Sequence, residues 1–145
     1  MTIVNQILKA KGSFVCTVTP ETSIADALEL MAEYNIGAIP VLADKNLVGI
    51  ISERDYARQV IRRDDLSLES PVKEIMTTKV VIVDTAQTIE ECMALMTDKR
   101  IRHLPVLDND NQLVGIVSIG DLVKSIISHQ EFIIEQLENY IVSSG

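Results

Sequence analysis

Tryptophan is absent, and three Tyr and two Phe amount to only 3% of the 145 residues. Single-stranded nucleic acid is gripped by stacking its bases on aromatic rings, so such platforms are scarce in this chain. Positive charge is short as well: 13 Lys and Arg stand against 21 Asp and Glu, a net charge of −8. A phosphate-backbone binder needs the opposite sign on its contact face. DNA, RNA and anionic membrane are therefore disfavoured as the main partner, although a local basic patch can still hold a small anion. Cysteine is limited to Cys16 and Cys92, with no CxxC, which gives structural zinc and dithiol chemistry no support. Two small apolar thiols fit a reducing cytoplasm, the expected location. No run of 18 apolar residues is present, so no membrane span is expected. The opening MTIVNQILKAKG has neither a continuous apolar stretch nor a small-residue cleavage site, unlike a secretory signal.

Catalytic signatures are also missing. There is no GxSxG, HExxH or GxGxxG and no deaminase zinc motif, and the histidines are His103 and His129. The nearest approach is Gly115 to Gly120, which has the glycine spacing of a P-loop. Asp121 and Leu122 stand where its Lys and Ser or Thr belong, and Arg54 replaces the second glycine in the matching stretch upstream. The chain is not expected to be an enzyme, and no catalytic or metal-ligating residue is assigned.

What is present is a core and a duplication. Apolar residues make up 47% and charged residues 23%, the balance of a folded domain. The stretch from Val18 reads VTPETSIADALELMAEYNIGAIPVLADKNLVGIISERDYARQVI. The stretch from Val83 reads VDTAQTIEECMALMTDKRIRHLPVLDNDNQLVGIVSIGDLVKSII. Ile24 matches Ile89, Met31 matches Met96 and Pro40 matches Pro105, all 65 residues apart. One extra residue in DNDN shifts the offset to 66, so that Gly49 meets Gly115 and Asp55 meets Asp121.

Each copy has one pattern. A short extended piece (Cys16 to Thr19; Val80 to Val83) leads to a helix opened by Ser23 or Thr88 as N-cap. Ile24, Ala27, Leu28 and Met31 share one helical face, as do Ile89, Cys92, Met93 and Met96. The strand AIPVL or HLPVL follows, then a polar turn, the strand LVGIIS or LVGIVS, and a second helix from about Glu53 or Ile119. The order β-α-β-β-α, twice, predicts an α/β (α+β) fold. Each copy of about sixty residues is marginal alone, so the two are expected to pack together.

At the second strand-to-helix junctions, Ser52-Glu-Arg-Asp55 and Ser118-Ile-Gly-Asp121 are Ser-x-x-Asp. This pattern resembles a capping box, with Asp in place of the usual Glu or Gln. The same geometry suits a nucleotide, because a helix N-terminus attracts phosphate and a carboxylate accepts two hydrogen bonds from a ribose diol. Capping and binding are compatible.

The doubled hydrophobic-Pro-Val-hydrophobic, LVGI and Ser-x-x-Asp pattern resembles the cystathionine β-synthase (CBS) domain family, over roughly residues 12–128. Two tandem copies form what that family calls a Bateman module, and SERDYAR, IRHLPVL and GIVSIGDLVK look close to small stand-alone members. The resemblance implies pseudo-two-fold packing of the two repeats with two clefts between them. It implies an adenosine-containing ligand (AMP or NAD first, also ADP, ATP or S-adenosylmethionine) with no required cofactor, and further pairing into a homodimer. Asp55 and Asp121 would hold ribose. Ser52 and Ser118, where Thr is common, would touch phosphate or ribose. Adenine would lie near Ile39-Pro40 and Leu104-Pro105, beside Ala38. Backbone at Thr17 to Thr19 and Lys79 to Val81 would complete the pockets.

The two sites are not expected to be equal. Lys99-Arg-Ile-Arg-His103 precedes Pro105, whereas Tyr34-Asn-Ile-Gly-Ala38 precedes Pro40. In an acidic protein such a basic cluster is the natural anion site. Arg102 and His103 are assigned to phosphate, with Arg54 and Arg58 as neighbours. Lys99 reads as a solvated helix-end charge, and Arg100 is open between the two roles.

The expected organisation is an N-terminal helix (1–11), repeat 1 (12–68), a polar linker (69–78), repeat 2 (79–128) and a C-terminal amphipathic helix (129–145). The last carries Phe132, Ile133, Leu137, Tyr140 and Ile141, and either packs on its own domain or makes a dimer contact. The expected function is a cytoplasmic, non-enzymatic nucleotide-binding regulator acting on a protein partner in trans. The alternatives are a constitutive scaffold with vestigial clefts and, more weakly, a nucleotide hydrolase.

Overall fold

The computed structural model describes residues 1–12 and 14–144, with side chains through 141; residue 145 of the expected C-terminal helix lies outside the described residues. The elements run α1 (Val4–Lys11), α2 (Ile24–Tyr34), β1 (Ala38–Ala43), β2 (Asn46–Ser52), α3 (Glu53–Arg62), a 3-10 turn (Val72–Glu74), β3 (Val83–Asp84), α4 (Ile89–Lys99), β4 (His103–Leu107), β5 (Leu113–Ser118) and α5 (Ile119–Ser144). This is the mixed α/β arrangement of two repeats with small sheets and covering helices.

Local chemistry sets the boundaries. Ser23 caps α2 by accepting the Asp26 N–H at 3.1 Å. Thr88 caps α4 by accepting the Glu91 N–H at 3.1 Å, while Glu91 accepts the Thr88 N–H at 3.2 Å. Both helices end on a left-handed residue at equivalent positions, Asn35 (φ 54°) and Arg100 (φ 55°). Between β1 and β2, Asp44 and Lys45 both take positive φ, the twist a two-residue hairpin requires. In the longer second hairpin Asp108 Oδ1 accepts the N–H groups of Asp110 and Gln112, each at 2.9 Å, which absorbs the extra residue.

The first extended pieces are shorter than the sequence pattern predicts. In the second repeat β3 is two residues long and pairs parallel to β4, giving a sheet ordered β3-β4-β5. In the first repeat the piece shrinks to a single parallel bridge, Val18 to Val41, beside the antiparallel pair β1-β2. Two residues supply too few ladder bonds to compete with loop geometry, so tertiary contacts decide how much strand forms.

Two cores result. One contains Val18, Ile24, Ala27, Met31, Ile39, Val41 and Ile51 together with Val72 and Ile75. The other contains Val83, Ile89, Cys92, Met96, Leu104, Val106, Val117 and Leu122 together with Val4 and Ile7. Each core therefore takes two side chains from the segment that precedes the opposite repeat. The backbone does the same. Val72 N–H donates to Thr22 O at 2.8 Å and Ile24 N–H to Ser70 O at 2.9 Å; Val4 N–H donates to Gln87 O at 2.8 Å and Ile89 N–H to Thr2 O at 3.1 Å. These two arms cross over, so the halves interlock and clefts form along the seam.

α5 is one continuous helix, so the expected C-terminal helix continues the helix that closes repeat 2. Leu122 is buried, while Phe132, Ile134 and Leu137 are more than half exposed. Among the described residues no helix is long and apolar enough to cross a membrane.

Candidate functional site

The strand-to-helix junction of repeat 1 supplies one side of a cavity of about 610 Å³, within the usual range for small-molecule pockets. Ser52 ends β2 and caps α3. Its Oγ accepts the Asp55 N–H at 3.1 Å, and Asp55 Oδ2 accepts the Ser52 N–H at 3.0 Å and its hydroxyl at 2.9 Å. The capping box is therefore real, and it fixes the carboxylate at the cavity wall. Asp55 Oδ1 faces Thr77 Oγ1 at a long 3.4 Å, a bond weak enough for a ligand hydroxyl to replace.

Repeat 2 supplies the opposite side. The cavity is lined by Gly37, Ala38, Ser52, Arg54, Asp55 and Arg58 from the first half, and by Thr77, Lys79 to Val81 and Lys99 to His103 from the second. Six of the 13 Lys and Arg residues thus meet in one hollow, where Glu53 and Asp55 are the only lining carboxylates. Among the described residues only Lys99 of those six has an ion pair, a 3.6 Å contact with its neighbour Asp98. Arg54, Arg58, Lys79, Arg100 and Arg102 line the hollow with no ion pair among the described residues. All six are solvent-exposed, so water screens them from one another, and a bound anion would meet several of them at once.

His103 stands at the seam. Its ring lies 3.3 Å from where a side chain on Gly37 would begin, so the missing Cβ makes room for it. Burial pushes its pKa below the ordinary histidine value. Asp121 and Asp55 pull it upward, while Lys11 and Arg102 add to the depression. The imidazole is thus kept neutral near pH 7 beside a cationic cluster.

Asp121 and Ser118 form the matching junction in repeat 2. Asp121 Oδ2 accepts the Ser118 N–H at 2.8 Å, and Ser118 Oγ accepts the Asp121 N–H at 3.1 Å. Here, however, the Lys11 ammonium donates to Asp121 Oδ2 and to Ile116 O, each at 2.7 Å. Asp121 lines a smaller hollow of about 220 Å³ between α1 and α5.

The cavity lining therefore brings together Ser52, Arg54, Asp55, Arg58, Ala38, Arg102 and His103; Ser118 and Asp121 are not in that lining, although Ser118 pairs with His103 across β4 and β5 and Asp121 acts on its charge. Ile39, Pro40, Leu104 and Pro105 reach neither hollow. They are buried, with Ile39 and Leu104 in the two cores. Thr19 is exposed in a turn, its N–H donating to Thr22 Oγ1 at 3.1 Å. Arg100 and Lys99 both line the cavity. Thr77 was invisible to sequence reasoning, because it arrives through an isolated bridge in which Thr77 N–H donates to Ile50 O at 2.9 Å. Among the described residues no cluster of His, Cys, Asp and Glu could hold a metal ion.

A family model described as the CBS domain matches residues 13–62 and 72–128. The chain belongs to the CBS-domain family. It is 35% identical over 97% of its length to the CBS domain-containing protein CBSX3, mitochondrial, of Arabidopsis thaliana, and covers 72% of that protein. A solved CBS-domain protein of Burkholderia ambifaria superposes with a TM-score of 0.83 at 51% identity, covering 89% of this chain and 96% of that one. Two CBS structures hold adenosine derivatives. CBSX2 in complex with AMP matches with a TM-score of 0.72 at 26% identity, over 90% of this chain and 99% of that one. The CBS pair of protein MJ0100, with 5′-methylthioadenosine and S-adenosyl-L-methionine, matches with a TM-score of 0.76 at 26% identity, over 86% and 99%.

Proposed function

We propose that this tandem CBS pair is a non-catalytic sensor of adenosine nucleotides, AMP or NAD, that signals to a protein partner in trans. The observation that carries the reading is the set of six arginine and lysine side chains around a cavity that also presents Asp55, five of them in no ion pair among the described residues. Asp55 takes the ribose diol in place of Thr77, and Arg102, Arg54 and Arg58 take the phosphate. His103 closes the seam between the halves. Ala38 and backbone at Lys79 to Val81 supply the less polar wall for the base. The ligands bound to CBSX2 and MJ0100 support this class, because each contains an adenosine moiety. A phosphate suits this cavity better than the sulfonium of S-adenosylmethionine, which the cations would repel.

Signalling follows from linkage. A ligand that touches both halves favours the packing in which both walls are in place, by as much as its affinity differs between packings. The exposed apolar face of α5 supports a homodimer, and it equally favours the second reading of a constitutive scaffold. The unpaired thiols Cys16 and Cys92 fit a reducing compartment such as the cytoplasm.

Calorimetric titration tests the reading. Charge-assisted hydrogen bonds contribute about 1.5–3 kcal/mol. Arg102→Ala should therefore weaken AMP by roughly tenfold to a hundredfold and leave adenosine nearly unchanged. Equal loss for both would remove the phosphate role from Arg102. Failure of AMP, NAD, ADP and ATP to bind the wild-type chain would leave the scaffold reading.

A further inference from the structure

We infer that the Asp121 half-site is filled by the chain itself, so that each chain takes one nucleoside, at Asp55, and that Lys11 is the residue that sets this single occupancy. The inference rests on the nucleoside reading of the clefts and adds to it the question of which one is open.

The two carboxylates are equivalent by the duplication and are held by the same Ser-x-x-Asp box. Their outward neighbours differ. The arm that reaches Asp55 is the 3-10 turn and its sequel, and it offers the neutral Thr77 hydroxyl at 3.4 Å. The arm that reaches Asp121 is the eight-residue helix α1, which ends by delivering an ammonium at 2.7 Å. A second bond from the same ammonium to Ile116 O at 2.7 Å aims it along β5 and keeps it on the carboxylate. As an exposed ion pair alone this contact would be weak. As a tethered competitor it is strong, because its effective concentration is on the order of millimolar or more. A ribose diol arriving from solution can span both oxygens of Asp121 only by displacing the Lys11 ammonium from Oδ2.

A separate observation agrees. The positions equivalent to Lys99, Arg100 and Arg102 are Tyr34, Asn35 and Gly37. Phosphate is thus drawn to the Asp55 cavity, and the Asp121 side offers little beyond its carboxylate once Lys11 is bound there.

Equilibrium dialysis with radiolabelled adenosine, which needs no phosphate contact, tests the inference on the full chain. Wild type should bind one adenosine, and Lys11→Met should bind two. Lys11→Arg, which keeps the charge, should remain at one. In the wild-type background Asp55→Asn should weaken binding by roughly tenfold or more, while Asp121→Asn should change it by less than about twofold. Two sites in wild type, or no gained site in Lys11→Met, would overturn the inference. If wild type binds nothing and Lys11→Met binds one, the Asp55 reading fails while the Lys11 inference stands. If neither binds, both fail.

Discussion

Ile24 and Ile89, Met31 and Met96, Val41 and Val106, and Ile51 and Val117 fill the same places in the two cores. Around the clefts the halves part company. Ala38 stands opposite His103 and Gly37 opposite Arg102, and one arm brings Thr77 to Asp55 where the other brings Lys11 to Asp121. Core positions are held alike because a lost or added methylene is felt in close-packed interiors. Cleft positions are free to differ, because pseudo-symmetry of the backbone does not require symmetry of charge. One junction lines a hollow with six cations, and the other is bonded by a lysine of the same chain.

The largest test of this comparison addresses what is shared. Ile75 and Ile7 are the matching side chains that the crossed arms bury, at 5% and 6% exposure. Ile75→Ala and Ile7→Ala should each cost about 2–5 kcal/mol in urea denaturation. A cost under about 1 kcal/mol for Ile7→Ala would mean that the N-terminal arm is an accessory and not a counterpart.

A second test separates the arms. A Cβ on Gly49 would lie 2.6 Å from Met76 Sδ and 3.1 Å from the Thr77 carbonyl oxygen, which is backbone. A Cβ on Gly115 would lie 2.5 Å from Cδ2 of Leu8, the end of a flexible side chain. Gly49→Ala should therefore destabilise by about 1–3 kcal/mol and also change AMP affinity, since it moves the Thr77 backbone that lines the cavity. Gly115→Ala should cost less and leave AMP affinity intact. Paired melting curves and titrations on both variants check the order.

The smallest effect is a pH dependence confined to one half. His103 has a pKa depressed by burial, so the unfolded chain binds a proton that the folded chain resists. Its contribution is complete above the unfolded value of about 6.5 and is lost as pH falls toward the lowered folded value. Stability should rise with pH across that window, and His103→Gln should flatten the slope. A bound phosphate raises the histidine pKa, so AMP binding should take up protons, as calorimetry in buffers of different ionisation heat would show. Proton uptake that persists in His103→Gln would assign it elsewhere.

Much of this was legible in residue order. Ser23 and Thr88 announced their helices, and the duplication located Ser52, Asp55, Ser118 and Asp121. The cations before Pro105 were visible as a run, though not that they face Asp55. The errors have physical reasons. Ile39 and Leu104 are apolar and sit beside the cleft residues Ala38 and His103, but successive strand residues point to opposite faces, which sends them into the cores. Thr77 and Lys11 act through contacts 22 and 110 residues away along the chain, and no local pattern encodes such pairings. The arms read as a flank and a linker because their apolar residues are few, and what they cover lies in the opposite repeat.

The crossed arms bear on what happens when the gene is cut. A fragment of residues 69–145 keeps Val72 and Ile75, which belong over the other half, and lacks Val4 and Ile7, which belong over its own. Its groove is left open while its arm has no host. Two such fragments can satisfy each other by trading arms, so that a single repeat would be stable only as an exchanged pair. The present chain joins two such partners in one polypeptide, and covalent linkage makes their association independent of concentration.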